Sequence, residues 1–226
     1  MKYFLILLSL LVCIGCSTIK IPEHNLVLHD NLDKTTARTE INQYKDSVIQ
    51  KANIINSINF SFRGKTMSAI GITKLDAENN NFSVAGFNPM GVTLFKIKME
   101  NDKIVSSYVI PQFESNDLKK AADMISKDIA RIYFKRKIDL QKSTLNINNY
   151  GVTINKTINN NNYEYFFTGK PLRLTTKTMY TNKKKIWSVD YYDYRTVNNA
   201  KMPYKIFLKH YKYRYTLDVE TKEIKN

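Results

Sequence analysis

Few side chains in this chain have the types and spacing to act on a substrate. Cys13 and Cys16 are the only thiols, and His24, His29 and His210 the only imidazoles, in 226 residues. Asp190 and Asp193, beside Arg195, are the one close carboxylate pair in an aromatic setting. The segment alternates as a strand does, so a separation of three puts the two carboxylates on opposite faces. That argues against shared acid–base work, which needs both groups at one reacting centre. His24 and His29 are five apart, a poor spacing for one helical face, and a metal site needs three or four converging ligands. His210 is expected on the solvent side of its strand. Gly-x-Ser-x-Gly, a phosphate-binding Gly-rich loop ending in Gly-Lys-Ser/Thr and His-Glu-x-x-His are all absent. The expectation is therefore a chain that is not an enzyme, with no catalytic residue, no metal and no cofactor.

The thiols have another use. Lys2 precedes an apolar run from Phe4 to Ile14 broken only by Ser9, and Gly15 then stands before Cys16. The run falls short of the ~20 residues a spanning helix needs and has the length of a secretory signal core. Cys13-Ile14-Gly15-Cys16 resembles the bacterial lipobox, departing from it at Cys13, where Leu is usual. The resemblance implies cleavage before Cys16, acylation of that residue by palmitate-type chains, and a membrane anchor. Residues 1–15 are then a signal peptide, 16–35 a lipidated tether and 36–226 a single domain. The mature chain keeps no free thiol and cannot form a disulfide. Removing residues 1–15 takes away Lys2 and no acid, which lowers the net charge from +15 to +14. Such a charge favours anionic partners. An exported chain with scattered lysines meets lipid or acidic protein rather than nucleic acid. Ser17 after the acylated cysteine, in place of Asp, points outward to the periplasmic face of the outer membrane.

The elements follow from periodicity. Residues 36–56 read as a helix, with Ile41, Tyr44, Val48, Ala52 and Ile55 on one face. Residues 116–134 read as a second, stronger helix with the stripe Leu118, Ala121, Ala122, Ile125, Ile129, Ile132 and Tyr133. Ser115 or Asn116 is a suitable cap before it, and Lys135, Arg136 and Lys137 suit its negative end. The rest alternates. Phe82–Met99 folds back at Asn88-Pro89-Met90-Gly91, a turn in which Pro fixes φ and Gly accepts φ > 0. After Asn198 to Pro203 turns the chain, one last strand is expected to carry Tyr211, Tyr213, Tyr215, Leu217 and Val219 on one side. The fold class is α+β: a large curved antiparallel sheet, an unclosed half-barrel of about ten strands, with two helices on the concave side. An open sheet of that size must curl.

This order resembles LolA and LolB, unclosed barrels that hold lipid under helices. It resembles still more a family of uncharacterised bacterial lipoproteins, domain of unknown function 3261. The residues carrying the resemblance are Phe82-Ser-Val-Ala-Gly-Phe-Asn-Pro-Met-Gly-Val-Thr-Leu-Phe95, Trp187-Ser-Val-Asp-Tyr191 and Pro203 before the final strand. It departs from LolB in that no protruding loop with an apolar tip is identifiable; Met90 is the one candidate for such a tip, in a short turn. The family has no assigned reaction, and the resemblance implies a lipid, acyl or lipoprotein ligand in the half-barrel. Phe60, Phe62, Phe82, Phe95, Ile97, Trp187, Tyr191, Tyr211, Tyr213 and Tyr215 are the candidate lining residues. The alternative is a non-catalytic accessory partner of an envelope machine.

Overall fold

A computed structural model describes residues 24, 26–110, 118–134, 138, 140 and 143–225. The acylation motif, the expected caps at 115–117 and the basic triplet at 135–137 lie outside them. Helix α1 spans Lys34–Ser47 and opens at Asp33, whose carboxylate accepts the Thr36 N–H at 2.7 Å. It buries Ala37, Ile41 and Tyr44. The expected continuation to residue 56 is not there, because residues 51 onward form a strand. The segment Ala52, Ile54, Asn56, Ile58, Phe60 also satisfies a period of two, and its isoleucines favour extended backbone. As a central strand it is paired on both sides over most of its length, and that settles the ambiguity.

Strands β1 (Lys51–Phe62), β2 (Lys65–Asp76), β3 (Asn81–Phe87), β4 (Thr93–Glu100) and β5 (Lys103–Val109) form one meander. Helix α2 (Leu118–Tyr133) follows. A second meander comprises β6 (Thr144–Asn148), β7 (Gly151–Ile158), β8 (Asn161–Thr168), β9 (Arg173–Thr181), β10 (Lys184–Val197), β11 (Ala200–His210) and β12 (Tyr215–Lys225). β1 pairs with β12 and joins the meanders into one antiparallel sheet, ordered β5-β4-β3-β2-β1-β12-β11-β10-β9-β8-β7-β6. The sheet is not closed, and α2 lies in the chain between its two edge strands. Both helices pack on the sheet and share one apolar core with it.

Twelve strands replace the expected ten, chiefly because the single last strand is two. Tyr211 to Arg214 form a turn, with Arg214 at φ +57°, and β11 precedes it with Pro203 inside the strand opposite Tyr194. Five hairpins turn on adjacent pairs of residues with positive φ: Arg63-Gly64, Asn101-Asp102, Asn159-Asn160, Asn182-Lys183 and Asn198-Asn199. Such turns match the twist of the flanking strands and are the place for Asn and Gly. The asparagine excess of this chain thus has a structural use.

Gly86 is needed for a different reason. It lies opposite Phe95, and a Cβ there would meet the ring at 2.3 Å. Gly86→Ala is expected to cost about 1–3 kcal/mol by forcing Phe95 aside. A thermal melt should read this as a fall of roughly 2–12 °C for a domain of this size.

Candidate functional site

Between α2 and the sheet lies a cavity of about 140 Å³. Its roof is one face of α2, with Ala121, Met124, Ile125, Asp128, Ile129 and Ile132 at helical spacing. Its floor is the inner side of the first meander and β12. Ile58 and Phe60 come from β1, Met67 and Ala69 from β2, Leu94 and Phe95 from β4, and Leu217 and Val219 from β12. The wall is apolar except for Asn56, Thr73, Asp128 and Tyr133, and three of these four have hydrogen-bond partners. Asn56 donates to the Tyr133 hydroxyl at 3.1 Å and accepts from Thr221 at 3.2 Å.

Asp128 is the one carboxylate on the wall among the described residues. It is 4 % exposed, accepts the Tyr215 hydroxyl at 2.7 Å and pairs with Arg131 one turn on. Burial pushes its carboxyl above the ordinary range, against the pull of Arg131 and the Tyr215 hydroxyl. Burial and the Asp128 charge push the Tyr215 phenol up in turn. The Arg131 guanidinium lies 5.6 Å from the Trp187 ring centre.

The last turn of a helix leaves carbonyls unpaired. Here the sheet supplies donors for them: Tyr191 reaches the Ile132 carbonyl at 2.9 Å, and the buried Lys177 reaches that of Phe134 at 3.1 Å. The ammonium is also favourable at the negative end of the helix dipole. The C-terminal half of α2 is therefore fixed to the sheet by buried polar contacts, whereas Ala121, Met124 and Ile125 roof the cavity with apolar groups.

Of the candidate lining residues, Phe60 and Phe95 are on the cavity wall. Phe62 is stacked beside Phe60 at 6.4 Å and is 37 % exposed at the end of β1. Phe82 packs on Phe134, and Ile97 is buried in the same core. Trp187 and Tyr191 are buried beneath the C-terminal half of α2, and Tyr215 holds Asp128. Tyr211 and Tyr213 leave this group, since both lie in the β11–β12 turn and Tyr213 is 55 % exposed. Sequence reasoning missed Asp128, although an acid three residues after Ile125, inside an apolar stripe, was a readable signal.

The other candidates for chemistry are separated. Asp190 accepts from Thr176 at 2.8 Å and lies 3.6 Å from His24, which stacks on Tyr192 at 4.3 Å. Asp193 pairs with Arg195 at 2.6 Å at the surface. His29 donates its backbone N–H to Asn149 at 2.8 Å, so the segment expected as a free tether touches the sheet at two points. His210 is 1 % exposed, not on the solvent side.

Residues 54–223 match the model of a family described as "protein of unknown function (DUF3261)". No curated protein matches the chain. Among solved structures, a LolA superfamily protein from Nitrosomonas europaea is similar at a TM-score of 0.53 and 9 % identity, over 84 % of this chain and 92 % of that one. A putative outer membrane lipoprotein-sorting protein domain from Vibrio parahaemolyticus gives 0.54 and 9 %, over 85 % and 93 %. A DUF1329 family protein from Desulfovibrio piger gives 0.54 and 9 %, over 85 % and 92 %. At these identities the likeness is one of fold: a LolA-like open barrel.

Proposed function

The chain belongs to the DUF3261 family, and from the apolar cavity of its LolA-like open barrel we propose that it is a non-catalytic carrier that binds, or helps transfer, a lipid, acyl or lipoprotein ligand. The helices lie on the concave side of the sheet in this reading, and α2 is the cover of the site. The observation that carries it is the cavity wall, apolar apart from Thr73 and three groups that already have partners. Each CH₂ moved from water into such a wall contributes about 0.8 kcal/mol. A cavity of this size holds about one benzene-sized molecule. A full acyl chain therefore requires the N-terminal half of α2 to lift while its C-terminal half stays bonded to Tyr191 and Lys177.

Cys16 is the acylation site in this reading, and its acyl chains hold the protein at the periplasmic face of the outer membrane, where two or more chains give a stable anchor. The sorting proteins of similar fold support an envelope location. The test is mass spectrometry of membrane-purified protein and of its lipid extract, wild type beside Cys16→Ala. The expected result is a wild-type chain beginning at Cys16 with added acyl mass, and a lipid retained by the unacylated variant without detergent. Acylated protein with no retained lipid would overturn the carrier and leave an anchored accessory partner. A wild-type chain without acyl mass would overturn the anchor.

A further inference from the structure

One end of the sheet differs in charge from the other. The register places the β1–β2, β11–β12 and β9–β10 turns side by side, since Phe62 lies opposite both Lys65 and Tyr215, His210 opposite both Tyr215 and Trp187, and Lys184 opposite Thr181. The strands from β2 to β9 are consecutive in the sheet, so at ~4.8 Å per strand this end is roughly 24 Å wide. The first turn carries Arg63 and Lys65. The second carries Lys209, Lys212 and Arg214, and the third Lys183, Lys184 and Lys185. No acid occurs in residues 61–66, 181–187 or 208–216. None of these cations is within ion-pair distance of a described carboxylate. Four of them lie over aromatic rings instead: Lys185 and Lys209 at 5.2 and 5.1 Å from the Tyr211 ring centre, Lys212 at 5.6 Å from that of Tyr213, and Arg63 at 5.0 Å from that of Phe62.

At the opposite end several cations are paired with acidic neighbours. Lys51 faces Asp76 and Glu78, Lys98 pairs with Glu100 at 2.6 Å, and Lys222 with Glu220 at 2.8 Å. A cluster of cations without ion pairs is thus exposed at one end among the described residues, together with half-exposed tyrosine and Phe62.

We propose that this end of the sheet docks on a bilayer surface of anionic phospholipid headgroups. The chemistry fits that occupant: unpaired cations attract the phosphates, and the long lysine stems over Tyr rings place an amphipathic layer at the headgroup level. A row of convex turns meets a surface and offers no cleft for a peptide. Phe60 and Met67, on the cavity wall, are each two residues from the β1–β2 turn segment, so a bilayer docked here lies beside the cavity. The inference does not depend on the cavity holding lipid.

The test uses full-length protein with Cys16→Ala, so that acyl chains do not dominate, sedimented with vesicles of phosphatidylcholine alone or with about one-third phosphatidylglycerol. The expected result is binding to the anionic vesicles only, lost in molar salt, where the screening length falls to ~3 Å. Lys184→Glu/Lys185→Glu/Lys212→Glu is expected to weaken it at least about a hundredfold, at about fivefold for each cation lost. Arginine at the same three positions should preserve it. Lys51→Glu/Lys98→Glu/Lys222→Glu makes the same change in net charge at the other end and should leave binding within a few-fold. Equal loss in both glutamate variants would reduce the effect to net charge and overturn the proposal. So would a failure to bind the anionic vesicles, as expected if the surface serves an acidic protein or only solvates the domain, or binding that ignores phosphatidylglycerol. Circular dichroism of each variant excludes unfolding as the cause of a loss.

Discussion

Ala69→Leu/Ala121→Leu is expected to abolish lipid retention and at the same time raise the melting temperature. The two alanines face the cavity from the floor and the roof, and a leucine at each adds three carbons to an apolar void. Each carbon that fills space without strain contributes about 0.8 kcal/mol of burial. Overpacking takes back a part, of the order of 1–3 kcal/mol. A net gain of about 1–2 kcal/mol is the usual outcome of cavity filling, and at 2–4 °C per kcal/mol it should read as roughly +2 to +8 °C. Retained lipid, measured by mass spectrometry as moles per mole of protein, should fall at least about tenfold, because the ligand and the leucines compete for one space. The opposite signs give the experiment its force. A variant that loses lipid by unfolding would melt lower, not higher. A stabilised variant with its lipid undiminished would remove this cavity from consideration as the binding site and leave it a packing defect.

The same cavity illustrates what could be read from the residues beforehand. The α2 stripe, the Phe82–Met99 hairpin and the open antiparallel sheet follow from periodicity and turn chemistry, both local in sequence. The α1–β1 boundary does not. Val48, Ala52 and Ile55 fit a helical face, Ala52, Ile54 and Ile58 fit a strand, and the pairing of β1 on both sides, with β2 and with β12 some 165 residues away, decides between them. The β11–β12 break is hidden for a related reason. Tyr211, Tyr213 and Tyr215 keep an unbroken alternation through a turn that contains neither Gly nor Pro, and Arg214 takes the positive φ that Gly or Asn marks elsewhere. Two of the tyrosines expected on the lining are in that turn as a consequence. The asparagine-bearing turns are the converse case. Their chemistry is that of tight hairpins, and asparagine marks four of the five such turns.

That unmarked turn is also where acid should act on this protein. His210 ends β11 under the turn, with its ring 4.6 Å from Tyr213 and 5.0 Å from Tyr215, and its Nδ1 accepts the Tyr213 N–H at 3.3 Å. Protonation would cost that acceptor and put a charge in a buried site that faces Arg131 of α2 and Lys212 of the turn; Asp128 lies beyond Tyr215. Burial first, then these two cations, lower the imidazole from 6.5 to about 4. Between those values the unfolded chain binds a proton that the folded chain refuses. The His210 contribution is therefore complete above pH 6.5 and is lost as pH falls toward 4, at most about 3 kcal/mol at 1.36 kcal/mol per unit. Asp128 acts in the opposite sense. Its raised carboxyl takes a proton more readily when folded, so its contribution grows as pH falls through that raised value. His210→Phe keeps the ring stack, removes the titration and separates the two. Thermal melts from pH 7.5 to 4 should show the wild type losing several degrees relative to His210→Phe, up to about 6–12 °C, and an equal decline in both proteins would show that other groups carry the acid sensitivity. The loss begins at the β11–β12 turn, which carries Lys212 and Arg214, so the same acid should loosen the basic end of the sheet before the rest of the domain.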